Sequence, residues 1–190
     1  MIQKLIVKLA EELDKRKISY MLIGGQAVLI HGSPRLTRDI DITLGISALD
    51  YRQIKDLCVH LRLKILTDDP EKFAGDTNVL PAEDPGTGIR VDFIFSFTPY
   101  EAQAIKRARR VKIGGYDVNF ASCEDLIIHK IFAAREIDKD DAKNILVKNL
   151  AKIDISYVEK WLKEFSAIPG QENISMIFSN ILKDVRTHNA

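Results

Sequence analysis

Asp39, Ile40, Asp41 and Ile42 alternate polar and apolar side chains. At the strand period of two, both carboxylates lie on one face, roughly 7 Å apart along the chain, and the isoleucines turn to the other. Like charges that close repel, and they persist together most easily where a divalent cation sits between them. Earlier in the chain, Gly24-Gly25 ends the apolar run Met21-Leu22-Ile23 and removes side chains where the chain turns into a helix. Backbone N–H groups at such a junction point outward, and with the helix dipole they favour an anion such as phosphate. A third acid, Asp92, stands between Val91 and Phe93. A carboxylate on an apolar strand is costly unless it is solvated, paired or bound to metal. Three on adjacent strands would make a site for one or two Mg²⁺. Two such ions roughly 3.5–4 Å apart clamp the attacking and leaving oxygens of an in-line phosphoryl or nucleotidyl displacement. The plainer alternatives are ion pairs: Asp39 and Asp41 with Arg35 or Arg38, and Asp92 with Arg90, two residues away on its own face.

The elements that must position these residues follow from periodicity. Residues 2–16 put Ile2, Leu5, Ile6, Leu9 and Leu13 on one face, the pattern of an amphipathic helix packed on a sheet. Residues 19–23 read as a strand, 25–32 as a short helix and 38–44 as the strand that carries Asp39 and Asp41. A helix is expected over 47–62, with Ser47 as its N-cap, then a short strand over 63–66. From Thr67 to Gly88 the pattern fails: Asp68-Asp69-Pro70, Gly75-Asp76, Pro81 and Asp84-Pro85-Gly86 predict a long loop, functional or mobile. Residues 89–95 resume the sheet, with Val91 and Phe93 facing one way and Arg90, Asp92 and Ile94 the other. A helix over 99–107 and a hairpin over 111–120 around Gly114-Gly115 follow. Ser122, with Asp125 three residues on, opens the first of four closing helices, near 122–135, 138–150, 156–165 and 171–186.

The expected fold is α/β (α+β), a small mixed sheet flanked by helices. Residues 1–121 would form the core and residues 122–190 a helical segment packed on it. A length of 190 residues with 46% hydrophobic side chains allows one domain with a proper core. A net charge of +1 rules out recognition of a polyanion by bulk electrostatics and leaves that role to a local patch. The dense basic run is Lys106-Arg107-Ala108-Arg109-Arg110-Val111-Lys112, either a charged edge strand or a patch for RNA. Cys58 and Cys123 are isolated and read as buried free thiols. No signal peptide and no apolar run of spanning length is present, so a soluble, cytoplasmic protein is expected.

The order Ile23-Gly24-Gly25, then Asp39-Ile40-Asp41, then Val91-Asp92-Phe93 resembles the nucleotidyltransferase superfamily with its DNA polymerase beta-like fold. The string Arg35-x-Thr37-x-Asp39-x-Asp41 is similar to the abortive-infection AbiEii-type toxin branch. So is Glu124-Asp125-Leu126-Ile127-x-x-Lys130, continuing to Arg135, Asp138 and Asp141. The resemblance spans about residues 19–146. It implies a nucleotidyltransferase that moves an NMP from an NTP to a hydroxyl of RNA, protein or a small molecule, releasing pyrophosphate. It makes Asp39, Asp41 and Asp92 the catalytic and metal-binding acids for Mg²⁺. Gly24 and Gly25 become the triphosphate contact, with Arg35, Thr37 and Lys130 as further nucleotide contacts, and an antitoxin becomes a partner. Gly25 departs from the Ser of many branches, which leaves backbone donors only. The competing reading is a non-catalytic nucleotide-binding or toxin–antitoxin interaction protein. Lys130 and Arg135 are, by the residues alone, more often solvated helix residues, and Asp138 and Asp141 more often acids that cap or charge a helix start.

Overall fold

The computed structural model describes residues 1–34, 36–96 and 98–188. In chain order the elements are α1 (Ile2–Lys15), β1 (Tyr20–Leu22), α2 (Gly24–His31), β2 (Ile40–Leu44), α3 (Tyr51–Leu61), β3 (Lys64–Ile65), α4 (Pro70–Thr77), β4 (Val79–Asp84) and β5 (Ile89–Phe95). They continue as α5 (Pro99–Lys106), β6 (Arg109–Ile113), β7 (Tyr116–Phe120), α6 (Cys123–Ala133), α7 (Glu136–Asn149), α8 (Ile155–Phe165) and α9 (Ile174–His188). The chain divides into two compact units, residues 1–26 with 36–121 and residues 27–35 with 122–190.

The first unit holds one mixed sheet of seven strands among the described residues, in the order β3-β4-β5-β2-β1-β7-β6. β1 runs antiparallel to β2 and parallel to β7, and β2 runs parallel to β5. Leu80, Phe93, Ile42, Leu22 and Phe120 are successive register partners across five strands. All five are buried. That row is the centre of the core, and strand alternation sends the residues beside it to the opposite face. Tyr116 shares the side of Phe120, and its hydroxyl donates to Asp14 of α1 at 2.7 Å. So α1 lies over that face and buries Leu5, Ile6, Leu9 and Leu13.

Where a loop was expected over 67–88, the chain forms α4 and β4. Asp69 caps α4 by accepting the Lys72 N–H at 3.1 Å, Pro70 fits the first turn, and Asn78 ends the helix at φ 55. Pro81 sits inside β4 because its carbonyl, and therefore its missing N–H, faces β3, where Leu66 N–H donates to it at 2.9 Å. No ladder bond to β5 is lost, which is how a sheet accommodates proline. Turn-forming residues were here caps and a tolerated proline rather than a loop. Two smaller expectations also change. Ser47 opens a 3₁₀ turn, Ala48–Asp50, without a side-chain bond to the helix backbone. Asp39 falls just before β2 rather than within it. The hairpin forms as expected on Gly114 at φ 56 and Gly115 at φ 91, which suits a primed two-residue turn. Its first strand, β6, is a sheet edge bearing exposed Arg109, Arg110 and Lys112, charges that discourage edge pairing.

The second unit is helical. Ser122 caps α6, its hydroxyl accepting the Asp125 N–H at 3.1 Å, and Asp154 caps α8 likewise for Tyr157 at 3.0 Å. Ile127, Ile131, Ile145, Leu146, Val158, Leu162 and Phe178 are buried. Among the described residues no helix is long and apolar enough to cross a membrane.

Candidate active site

Chain topology brings the glycine turn to the acids. Because β1 is antiparallel to β2, its C-terminal end meets the beginning of β2, and Ile23 N–H donates to the Asp41 carbonyl at 2.9 Å. Gly24 follows at φ +60, a left-handed conformation open to glycine at little cost. A Cβ at Gly24 would fall on Asp41 Oδ2 and stand 2.8 Å from Cγ of that carboxylate. A Cβ at Gly25 would fall on Thr37 Oγ1 and stand 2.7 Å from the threonine Cβ. The two glycines therefore seat Asp41 and Thr37 directly against the backbone at the start of α2. Gln26, buried in the same first turn, donates its side-chain amide to the Asp39 carbonyl at 3.3 Å. The sequence reading missed Gln26; its place in the first turn after Gly-Gly was the available signal.

Asp41 and Asp92 are register partners on the adjacent parallel strands β2 and β5, and so project from the same sheet face. Both are half-buried, whereas Asp39 is exposed. Burial alternates along β5 as expected, with Val91 and Phe93 inside. Arg90 Nε donates to Asp92 Oδ1 at 2.9 Å, the ion pair foreseen as the plainer alternative. The Asp92 carboxylate beside it raises the Arg90 pKa above the ordinary guanidinium value, with smaller contributions from Asp39 and Asp41. Carboxylate oxygens suit a hard cation such as Mg²⁺. Asp41, seated where Gly24 leaves no room for any side chain, and Asp92 beside it fit such an ion by chemistry. Among the described residues no three His, Cys, Asp or Glu side chains are gathered into a ready-made metal set.

Arg35 lies outside the described residues. Lys130 is in the second unit, buried rather than solvated, with its ammonium 2.8 Å from Asp138 Oδ1 and 2.9 Å from Asp141 Oδ2. Arg135 also pairs with Asp138. Burial pushes the Asp138 carboxyl up, but the hydrogen bonds from Arg135 and Lys130 outweigh it, and the net shift is downward. Asp138 does sit in the first turn of α7, yet as a buried ion-pair partner rather than a surface charge. Burial pushes the Cys58 thiol up to about 12, which keeps it protonated and inert. Cys123 is only half-buried, with its sulfur 3.3 Å from His31 Nδ1.

Residues 9–146 match the family described as Nucleotidyl transferase AbiEii toxin, Type IV TA system. The chain belongs to that family. It is thus a nucleotidyltransferase, and its glycine turn and strand acids lie within the matched span. No curated protein matches the sequence. Among solved structures, this AbiEii-family chain is similar to the antibiotic-resistance factor ANT(2'')-Ia in solution, with TM-score 0.55 and 16% identity over 98% of this chain and 94% of that one. It is similar too to ANT(2'')-Ia in complex with adenylyl-2''-tobramycin, with TM-score 0.52 and 18% identity over 99% and 98%. An antigenic nucleotidyltransferase-like protein from Paracoccidioides brasiliensis gives TM-score 0.54 and 17% identity over 95% and 91%. At such identities the likeness establishes a shared fold.

Proposed function

We propose that this AbiEii-family nucleotidyltransferase moves an NMP from an NTP to an acceptor hydroxyl in a Mg²⁺-dependent reaction that releases pyrophosphate. The observation that carries this reading is the contact between the Gly24 turn and the Asp41 carboxylate, with Asp92 in register beside it. A turn that favours phosphate and acids that favour a cation then address the same triphosphate. In this reading the N–H groups opening α2 and the Thr37 hydroxyl hold the phosphates, and Arg35 adds a charged contact. Asp39, Asp41 and Asp92 would hold the metal, which when bound neutralises phosphate charge and fixes the direction of displacement. Asp92 accepts the proton of the attacking hydroxyl; the new bond forms between that oxygen and the α-phosphorus, and the bond from the α-phosphorus to the pyrophosphate oxygen breaks. Positioning of this kind supplies most of the rate gain in phosphoryl chemistry.

The acceptor is RNA, protein or a small molecule bearing a hydroxyl, and an antitoxin is the expected partner of a family so described. The reaction is placed in the cytoplasm, where NTP and Mg²⁺ are supplied, and its chemistry in the 1–121 core. Incubation with each labelled NTP, Mg²⁺ and a cell extract tests the reading. One extract fraction should acquire label while pyrophosphate is released. Binding of NTP with no label transferred to any fraction would overturn it.

A further inference from the structure

Arg90 is not absorbed by the reading above. It sits two residues before Asp92 on β5, on the same sheet face, and its Nε holds Asp92 Oδ1. The Arg90 side chain is 52% exposed and that of Asp92 20%, so the guanidinium borders solvent while the carboxylate is largely covered. A second acid lies within its reach. Glu83 of β4 is the register partner of Arg90, and directly opposed residues of an antiparallel pair have Cβ atoms about 4.5–5.5 Å apart. Pro81, the register partner of Asp92 on the same strand, offers no charge at all. Arg90 thus rests on Asp92 along its own strand, and Glu83 stands opposite it across the ladder. Asp92 has two cationic partners to choose between, Arg90 and any ion held with Asp41.

We propose that Arg90 is a resident counter-cation for Asp92: it competes with the divalent ion for that carboxylate and passes to Glu83 or to the nucleotide's phosphates when the ion takes it. This rests on the metal-site reading of Asp39, Asp41 and Asp92. The physical cause is charge. A guanidinium hydrogen-bonded to one of the acids opposes a second cation on the same oxygens, whereas an arriving triphosphate adds negative charge that draws the guanidinium away and favours the metal. Arg90 thereby makes metal binding depend on nucleotide. The raised Arg90 pKa, caused first by Asp92 and then by Asp39 and Asp41, agrees with a guanidinium that senses all three acids. Arg90 is a positioning residue in this scheme, acting through Asp92.

The test is Mn²⁺ affinity by electron paramagnetic resonance on the full chain, with and without a non-hydrolysable NTP analogue, and circular dichroism to confirm folding. Arg90→Gln should raise Mn²⁺ affinity without nucleotide by roughly five- to tenfold, the scale of losing one charge-assisted hydrogen bond that competes for the ligand. In an Asp92→Asn background the same change should give less than about a twofold gain, because the contested carboxylate is gone. Arg90→Lys keeps the charge and should stay near wild type. Equal gains in both backgrounds would mean that Arg90 acts only through its general field and would overturn the proposal, as would no gain at all. If the wild type itself binds no Mn²⁺ even with nucleotide, the metal-site reading has failed before any variant is made, and this inference goes with it.

Discussion

Gly24 and Gly25 carry their weight through the atoms that stand where their side chains would be. Gly25→Ala would drive a methyl group onto the Thr37 hydroxyl, and overpacking of this kind costs about 1–3 kcal/mol. The expected result is a folded protein with a lower melting temperature and weaker NTP binding, read by thermal denaturation and calorimetry. Normal binding would show that Thr37 merely packs there. Gly24→Ala should be worse, since the φ of +60 strains any other residue and the methyl meets Asp41. The acids divide by role in the same way. Asp92→Asn cannot accept a proton as the carboxylate does, so Mg²⁺–NTP binding should fall modestly while transfer slows at least about a hundredfold. Asp41→Asn removes a ligand and should weaken metal-dependent binding as well. Transfer at the wild-type rate by Asp92→Asn would remove that residue from the mechanism.

At the scale of elements, the segment from α4 to β4 holds the lesson. Asp69, Pro70, Asn78 and Pro81 are residues that punctuate loops, and no local property separates that use from a capped helix followed by a strand. The pairing with β5 decides it, because that ladder gives β4 backbone partners and turns the proline nitrogen away from β5. The β4 amides bonded to β5 should accordingly exchange slowly with solvent. Asp69→Ala should cost about 1 kcal/mol and fray α4 while leaving that protection in place. Hydrogen exchange read residue by residue separates the two; rapid exchange throughout 79–84 would restore the long loop expected from composition. The hairpin on Gly114-Gly115 was legible for the opposite reason. Two adjacent glycines with positive φ are required by the turn itself, whatever surrounds it.

At the scale of the whole molecule, the buried charge of the second unit sets a pH dependence of stability. Lys130→Met leaves Asp138 and Asp141 buried without the ammonium they share, a change that costs about 3–5 kcal/mol in such settings. The folded Asp138 pKa lies below its unfolded value, so its contribution is present above the unfolded value of about 3.9 and is lost as pH falls through the folded one. Urea unfolding should therefore show the Lys130→Met deficit largest near neutral pH and shrinking as pH falls below about 4, through the lowered folded pKa, where a protonated Asp138 no longer needs a counter-charge. A variant of wild-type stability that binds no NTP would instead make Lys130 a nucleotide contact. Of the molecule as a whole, the sequence by itself determined the amphipathic first helix, the alternation of β5, the hairpin and the α/β class, because periodicity and turn chemistry are local. It also determined which residue types could bind phosphate and metal, since Gly-Gly and spaced aspartates have few other uses together. Only the tertiary structure decided which partners those residues have. The contact of Asp41 with Gly24, the register of Asp41 with Asp92, the choice of Asp92 for Arg90 and the burial of Lys130 between two acids join positions far apart in sequence or choose between equal neighbours. Such choices are set by strand pairing and desolvation, which no single stretch of the chain contains.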